Sequence, residues 1–188
     1  MSPASGPGVA TWVLDSATRL HDALDRVYRL GVSLPDAPLA RFEAATGAMP
    51  HTTEAERLVV QRVGQDLIRN ALMDYWGGRC AVTGLAIPEL LRASHIEPWA
   101  DCATDAERLD VFNGLLLAPN LDAAFDPGFV TVADDGAVLA STALDAEAGT
   151  LLGIAPAMHV ARLSPRHRHY LDWHRRHLFR AGPGVGAT

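Results

Sequence analysis

The stretch RASHIEPW puts a single histidine, His95, at the end of a short apolar run. Imidazole is the side chain best suited to take up a proton near neutral pH, so His95 is a candidate general base. The same setting suits a hydrogen-bonded core histidine, and residue type alone leaves both uses open. Glu97 follows two residues later and falls on the same side if a strand continues, although Pro98 fits a strand end equally well. Asp122 and Asp126 stand four apart in LDAAFD, on one helical face, where each could also complement a helix dipole or cap a turn. Cys80 is a possible nucleophile for a cysteine hydrolase with His95 as base. No oxyanion-hole turn or third orienting residue accompanies it, and a small buried apolar role fits it better. Toward the C-terminus, SPRHRHYLDWHRRHLFR carries His167, His169, His174 and His177 among Arg166, Arg168, Arg175, Arg176 and Arg180. Guanidinium forks suit phosphates, so Arg175 and Arg176 are candidate nucleic-acid contacts. A solvated face packed through Tyr170, Leu171, Trp173 and Leu178 is the competing use. His174 and His177, three apart, make only a weak metal pattern. Arg62, Gln65 and Arg69 share helical spacing upstream, with Arg62 and Arg69 as further candidate phosphate contacts.

These residues must be positioned by a chain of 188 residues, 48% of them hydrophobic, enough for one sizeable core with a small helical appendage. No apolar run approaches the roughly 18 to 20 residues that span a bilayer, and MSPASGPGVATW lacks the basic-then-apolar order of a signal peptide. A cytoplasmic protein with no membrane partner is expected. Two cysteines outside any CxxC pair suggest neither a disulfide framework nor a cysteine-built zinc site. The formal net charge of -6 is unevenly spread: -2 over residues 1–60, -9 over 61–150 and +5 over 151–188. An acidic middle with a basic terminal helix suits a metal site beside a separate phosphate-gripping surface, or simply a protein with uneven faces. Every basic residue is arginine, which fits a GC-rich genome bias.

Helical spacing of Leu20, Leu24, Val27 and Leu30 predicts an amphipathic helix over 15–30, with Gly31 as its stop. A short helix is expected between the prolines of SLPDAPLARFEAATGAMPH. The next helix begins at a capping box, Thr53 and Glu56. It carries Leu58, Val59, Val63, Leu67, Ile68, Leu72 and Tyr75 as a core stripe and ends at Gly77-Gly78. RCAVTGLAI then reads as a short strand into a turn, and ELLRASHI as its return. Residues 98–112 read as a polar, acidic connection. NGLLLAPNLDAAFDPG opens on a turn and becomes a helix from about Pro119 to Pro127. FVTVADDGAVLAS predicts a hairpin. The last helix is expected to open with Ser164 as cap and Pro165 at its first position.

RCAVTG, ASHIEPW, NGLLL and LDAAFD, in this order and spacing, resemble the HNH endonuclease family, in its restriction-type branch. The resemblance covers roughly residues 62–133 and extends more loosely to LDWHRRHLF. It implies an α+β protein: a ββα-metal core, with a small antiparallel hairpin plus a helix, flanked by helices and preceded by a helical extension. Domain limits expected on this basis are 1–55 for the extension, 56–182 for the nuclease domain and 183–188 for a flexible tail.

By motif position the resemblance implies His95 as the base that activates water and Asn113 as the residue whose amide braces the loop. Asp122 would stand at the third motif position and bind a divalent ion, with His95 in the same metal shell. Mg2+ or Mn2+ would suit this hard oxygen ligand. The family's third position is more often His or Asn, and many relatives carry Asp or His where Ser94 stands, so the metal shell is expected to be thin; Asp126 is a candidate helper. The flanking zinc-binding cysteine pairs of many HNH proteins are missing. The expected activity is metal-dependent hydrolysis of DNA phosphodiesters, in a bacterial restriction or defence setting. Target choice is expected to rest on residues 1–55 or on a partner protein such as a target-recognition subunit. The alternative is a non-catalytic nucleic-acid- or partner-binding module on a degenerate HNH frame.

Overall fold

The protein is seen in a computed structural model that describes residues 2–3, 12–33, 36–50 and 52–180. The tail expected at 183–188 and most of the Gly/Pro/Ser-rich start lie outside the described residues. Strand β1 (Ser2–Pro3) pairs antiparallel with β2 (Trp12–Val13). Helix α1 (Ala17–Ser33) continues through Gly31 instead of ending there. Its Leu20, Leu24 and Val27 are exposed, so the apolar stripe does not face the core as its spacing suggested. The helix is tied down by a polar group. Arg26 donates from Nη1 to Asp74 O at 2.7 Å and from Nη2 to Tyr75 O at 2.6 Å, occupying carbonyls in the last turn of the third helix, where the backbone leaves acceptors without intrahelical donors.

Helix α2 (Ala37–Thr46) packs on α3 (Glu54–Trp76). The capping box of α3 is present: Thr53 Oγ1 accepts from Glu56 N, and the Glu56 carboxylate accepts from Thr53 N. Gly77 ends the helix in the left-handed conformation at φ 65°, which glycine adopts without steric cost. The buried face is Gly64, Ile68, Ala71, Leu72 and Trp76. Leu58 and Val59, expected in that stripe, are exposed, because α2 covers the Arg57, Val60, Gln61 and Gly64 side of the first turns instead.

The expected strand over RCAVTGLAI does not form. Its backbone is consumed locally by a turn, with Gly84 N donating to Cys80 O and Cys80 N to Leu85 O, and only Ala81 reaches the sheet, through Leu116 O. The strand partner of β3 (Arg92–His95) is β4 (Gly114–Leu117), in antiparallel register Arg92 with Leu117 through His95 with Gly114. The connection between them is less polar than its sequence suggested. It contains the capped helix α4 (Asp105–Arg108) and a 3-10 turn over Val111–Asn113, and buries Cys102, Leu109, Val111 and Phe112. All four residues of β4 are buried, and α5 (Pro119–Phe125) follows, completing a ββα unit of β3, β4 and α5 in an α+β fold.

The hairpin of β5 (Val130–Val132) and β6 (Val138–Ala140) is present as its turn sequence predicts. A short helix α6 (Ala146–Leu151), capped by Asp145, went unforeseen, its single turn and a half being too short for periodicity to reveal. Helix α7 (His167–His177) starts later than expected. Ser164 and Pro165 form the preceding turn, with Ser164 O accepting from His167 N, and no side chain caps the helix. Among the described residues no helix is long and apolar enough to cross a membrane.

One contact pins the ββα unit to α3. A Cβ on Gly114 would lie 2.7 and 2.8 Å from the two methyl carbons of the fully buried Leu72. The backbone there is extended at φ -151°, so Gly114→Ala tests space and not conformation. The expected cost is about 1–3 kcal/mol of overpacking, read as a lowered Tm. In a Leu72→Ala background the same substitution should instead cost little or recover stability.

Candidate active site

His95 is the last residue of β3, and Ile96 N donates to Asn113 O, so the chain leaves the sheet at a fixed point. Its Nε2 lies 2.8 Å from Arg108 O. A carbonyl only accepts, so Nε2 carries the proton and Nδ1 keeps the ring's lone pair. The ring stands edge-on to Trp99, centroids 5.6 Å apart at 86°. Burial holds the imidazole below its ordinary pKa of 6.5, against the opposing pull of the Arg108 carbonyl and the Asp126 charge. At neutral pH the ring is therefore an uncharged base.

Two residues fix the connection that supplies this carbonyl. Asn113 is fully buried: its Oδ1 accepts from Glu97 N at 2.8 Å, and its Nδ2 donates toward Glu97 O, Glu107 O and Cys102 Sγ at 3.1–3.3 Å. Arg108 donates from Nε to Trp99 O at 3.0 Å, from Nη1 to Asp105 at 3.0 Å and from Nη2 to Cys102 O. Burial pushes the Cys102 thiol up to about 11, keeping it a neutral donor toward Glu97 O and Pro98 O. One amide, one guanidinium and one thiol thus bind the Glu97, Pro98, Trp99, Cys102 and Glu107 carbonyls of this connection.

Ser94, the neighbour of His95, is buried and donates from Oγ to Asp126 Oδ1 at 2.7 Å. The same hydroxyl also reaches the Asp122 carboxyl and lowers its pKa. Burial and then the Asp126 charge act more strongly and in the opposite sense, raising Asp122 above its ordinary value. Two carboxylates therefore converge on one hydroxyl beside the histidine. Ser94, His95, Pro98, Trp99, Asp126 and Leu178 line a cleft of about 330 Å3. The charge that reaches His95 is that of Asp126, and Asp122 is set back from the cleft wall. Asp126, a candidate helper by its helical spacing from Asp122, lines the cleft and pairs with Ser94 across 32 residues, a contact that spacing did not indicate. Glu97 turns away from the cleft into the connection, its carboxyl raised first by burial and then by Glu107.

A divalent ion fits the donor chemistry of Asp122 and Asp126. Both are hard oxygen ligands, and a cation would relieve the repulsion that raises Asp122. Among the described residues no group of three or more His, Cys, Asp and Glu is placed to hold a metal, so the protein would contribute a small share of the ligands.

The candidate arginines divide into two kinds. Arg69 donates to Leu91 O and Pro88 O, and Arg175 to Val132 O and Asp134, so both hold the frame together. Arg62 is exposed, and Arg176 is exposed in a pair with Asp172 at 2.6 Å. His174 is buried, stacked on Phe125 at 4.1 Å and hydrogen-bonded to Thr131 Oγ1 and Phe125 O, which removes it from any metal pair with His177. Cys80 is buried outside the cleft, its sulfur accepting from Ala118 N and Thr83 N, so the cysteine-hydrolase alternative is discarded.

The buried His167 and His174 and the half-buried His95 set an acid limit. Burial lowers His95, His174 and His167, the last to about 4. As pH falls below about 6.5 the unfolded chain binds protons that the folded chain does not. The stability from keeping these rings neutral is thus complete above that value and lost toward the lowered folded values. Tm measured from pH 7.5 to 4.5 should fall, and His167→Gln, which cannot ionise, should flatten the fall. Asn113→Ala, which leaves the buried Glu97 amide without its acceptor and takes one donor from the Glu97 and Glu107 carbonyls, should cost about 1–3 kcal/mol by denaturant unfolding.

Residues 80–133 match the family model HNH_2, described as HNH endonuclease. No curated protein matches the chain. The matched segment runs from the Cys80 turn through β3, β4 and α5 to the end of β5, and so contains His95, Asn113, Asp122 and the Ser94–Asp126 pair. The nucleases of this family generally use divalent metal ions. Over residues 80–133 the chain is thus similar to the HNH endonuclease family.

Proposed function

We propose that the protein is a metal-dependent endonuclease that hydrolyses DNA phosphodiesters at the His95 cleft. The observation that carries this reading is the hydrogen bond from His95 Nε2 to the Arg108 carbonyl. It fixes the tautomer, so Nδ1 is the atom that takes a proton from water, and burial keeps the ring neutral and ready to do so. Asn113 holds the connection that presents the carbonyl, which makes it a positioning residue. Asp122 and Asp126 would hold a divalent ion, Mg2+ or Mn2+, organised by the Ser94 hydroxyl. When bound, the ion would neutralise charge on the phosphate and the leaving oxygen. A small carboxylate share suits Mg2+, which ordinarily keeps several waters and is held by one or two carboxylates plus substrate phosphates. Arg62 and Arg176 are the candidate arginines exposed for backbone contact.

The chain's net charge of -6 disfavours tight binding to DNA by electrostatics alone. Target selection then rests on shape, on a partner protein such as a target-recognition subunit, or on the N-terminal helices, in a restriction or defence setting.

The test is nicking of supercoiled plasmid in Mg2+, Mn2+ or EDTA by the wild type and by His95→Ala. Nicking should require the ion and fall by 100-fold or more in the variant, about the contribution of a general base. Asp126→Asn should raise the metal concentration needed for half-maximal activity. Equal activity of wild type and His95→Ala would overturn the mechanism, and DNA binding without cleavage under every ion would favour a non-catalytic module. On the acid side, kcat/KM should fall with a midpoint below 6.5, the ordinary histidine value, because His95 is lowered.

A further inference from the structure

Trp99 borders two cavities. One is the His95 cleft, and the other is a larger space of about 580 Å3 between α2, the first half of α3 and the β3–β4 connection. Its apolar side is aromatic. Trp99 and Phe42 converge on Gly64 of α3, where a Cβ would come within 2.4 Å of Trp99 Cη2 and 3.3 Å of Phe42 Cε2. Glycine inside a helix costs stability, and here its missing side chain is what lets both rings close on the helix. The polar side holds Glu43, Gln61, Arg57, Asp105 and Arg108.

This chemistry selects the ligand class. Two formal negative charges against two positive ones give the cavity no net attraction for a phosphate. Aromatic rings beside an amide and a carboxylate suit a flat, uncharged heterocycle with both donors and acceptors on its edge, which describes a nucleobase. The volume lies within the roughly 300–1,000 Å3 usual for ligand sites. Position identifies the source. Arg108 holds His95 through its carbonyl, while its guanidinium sits 5.9 Å from the Trp99 ring, so one Trp99–Arg108 wall separates this space from the cleft.

We propose that the α2–α3 cavity receives one nucleobase of the substrate, from a nucleotide close to the scissile phosphate, and distinguishes bases through Glu43 and Gln61. This rests on the His95 cleft being the hydrolytic site, and it gives α2 a part in target choice. A base in a duplex would enter unstacked, most easily from a mismatch.

The experiment uses the full chain carrying His95→Ala and DNA duplexes in which one 5-iodouracil, opposite a mismatch, is moved position by position. Irradiation and peptide mapping then locate the crosslinks. The expected result is crosslinking to Trp99 or Phe42. In parallel, the base preference of cleavage by the wild-type chain should be reduced roughly fivefold or more by Gln61→Ala or Glu43→Ala. Crosslinks confined to residues outside the cavity, or base preference indifferent to both substitutions, would overturn the proposal while leaving the hydrolytic reading intact. Cavity crosslinks without any cleavage by the wild type would overturn the hydrolytic reading and keep the base site. A failure to bind DNA at all would overturn both.

Discussion

The amide of Asn113 is buried, and both its polar atoms bond to a segment that starts sixteen residues earlier in the chain. A buried amide that keeps its partners costs little; one that loses them leaves several groups desolvated at once. That asymmetry makes the Asn113 arrangement all-or-none. The position of Glu97 fixes where β3 ends, and the position of Glu107 fixes where the Arg108 carbonyl points, so the orientation of His95 is decided by a residue that does not touch it. Arg108 adds a second set of bonds over the same segment. The site is rigid because two side chains of different geometry agree on one path for the loop.

Electrostatics work against that rigidity, and the balance is informative. The middle of the chain carries a formal charge of -9, and two of its carboxylates lie close together beside Ser94, whose hydroxyl donates to Asp126. Such a pair is costly while both are ionised and becomes favourable when a cation lies between them. A cation at this pair would offset that local charge excess. The basic residues that could have neutralised it are spent on backbone carbonyls, as Arg69 and Arg175 are.

Much of this was legible in the sequence. The Thr53–Glu56 capping box, the Gly77–Gly78 stop and the alternation of the β5–β6 hairpin act over a few residues and are present, whereas the Gly31 stop and the Ser164 cap are not. Order and spacing of the four motifs placed His95, Asn113 and Asp122 on one ββα frame. What failed was information about partners. The Cys80–Leu85 turn looked like a strand because it is apolar, and the exposed leucines of α1 looked like core because their spacing is helical. Periodicity says which residues share a face and not what covers it. Helical spacing placed Asp126 beside Asp122, but its pairing with Ser94 on β3 could not be read from spacing.

The distances along the chain have a kinetic meaning. Apart from Leu178, the residues lining the cleft all fall between Ala93 and Asp126, and β3 meets β4 across one connection that carries its own capped helix. Loop-closure entropy rises only slowly with length, and contacts nearer in sequence tend to form ahead of more distant ones. α7, which supplies His174 to stack on Phe125, lies some fifty residues further on and docks against a frame already able to close. During synthesis the β3, β4 and α5 side of the His95 cleft would therefore be available before α7 is complete, and Leu178 would be the last residue added to its wall.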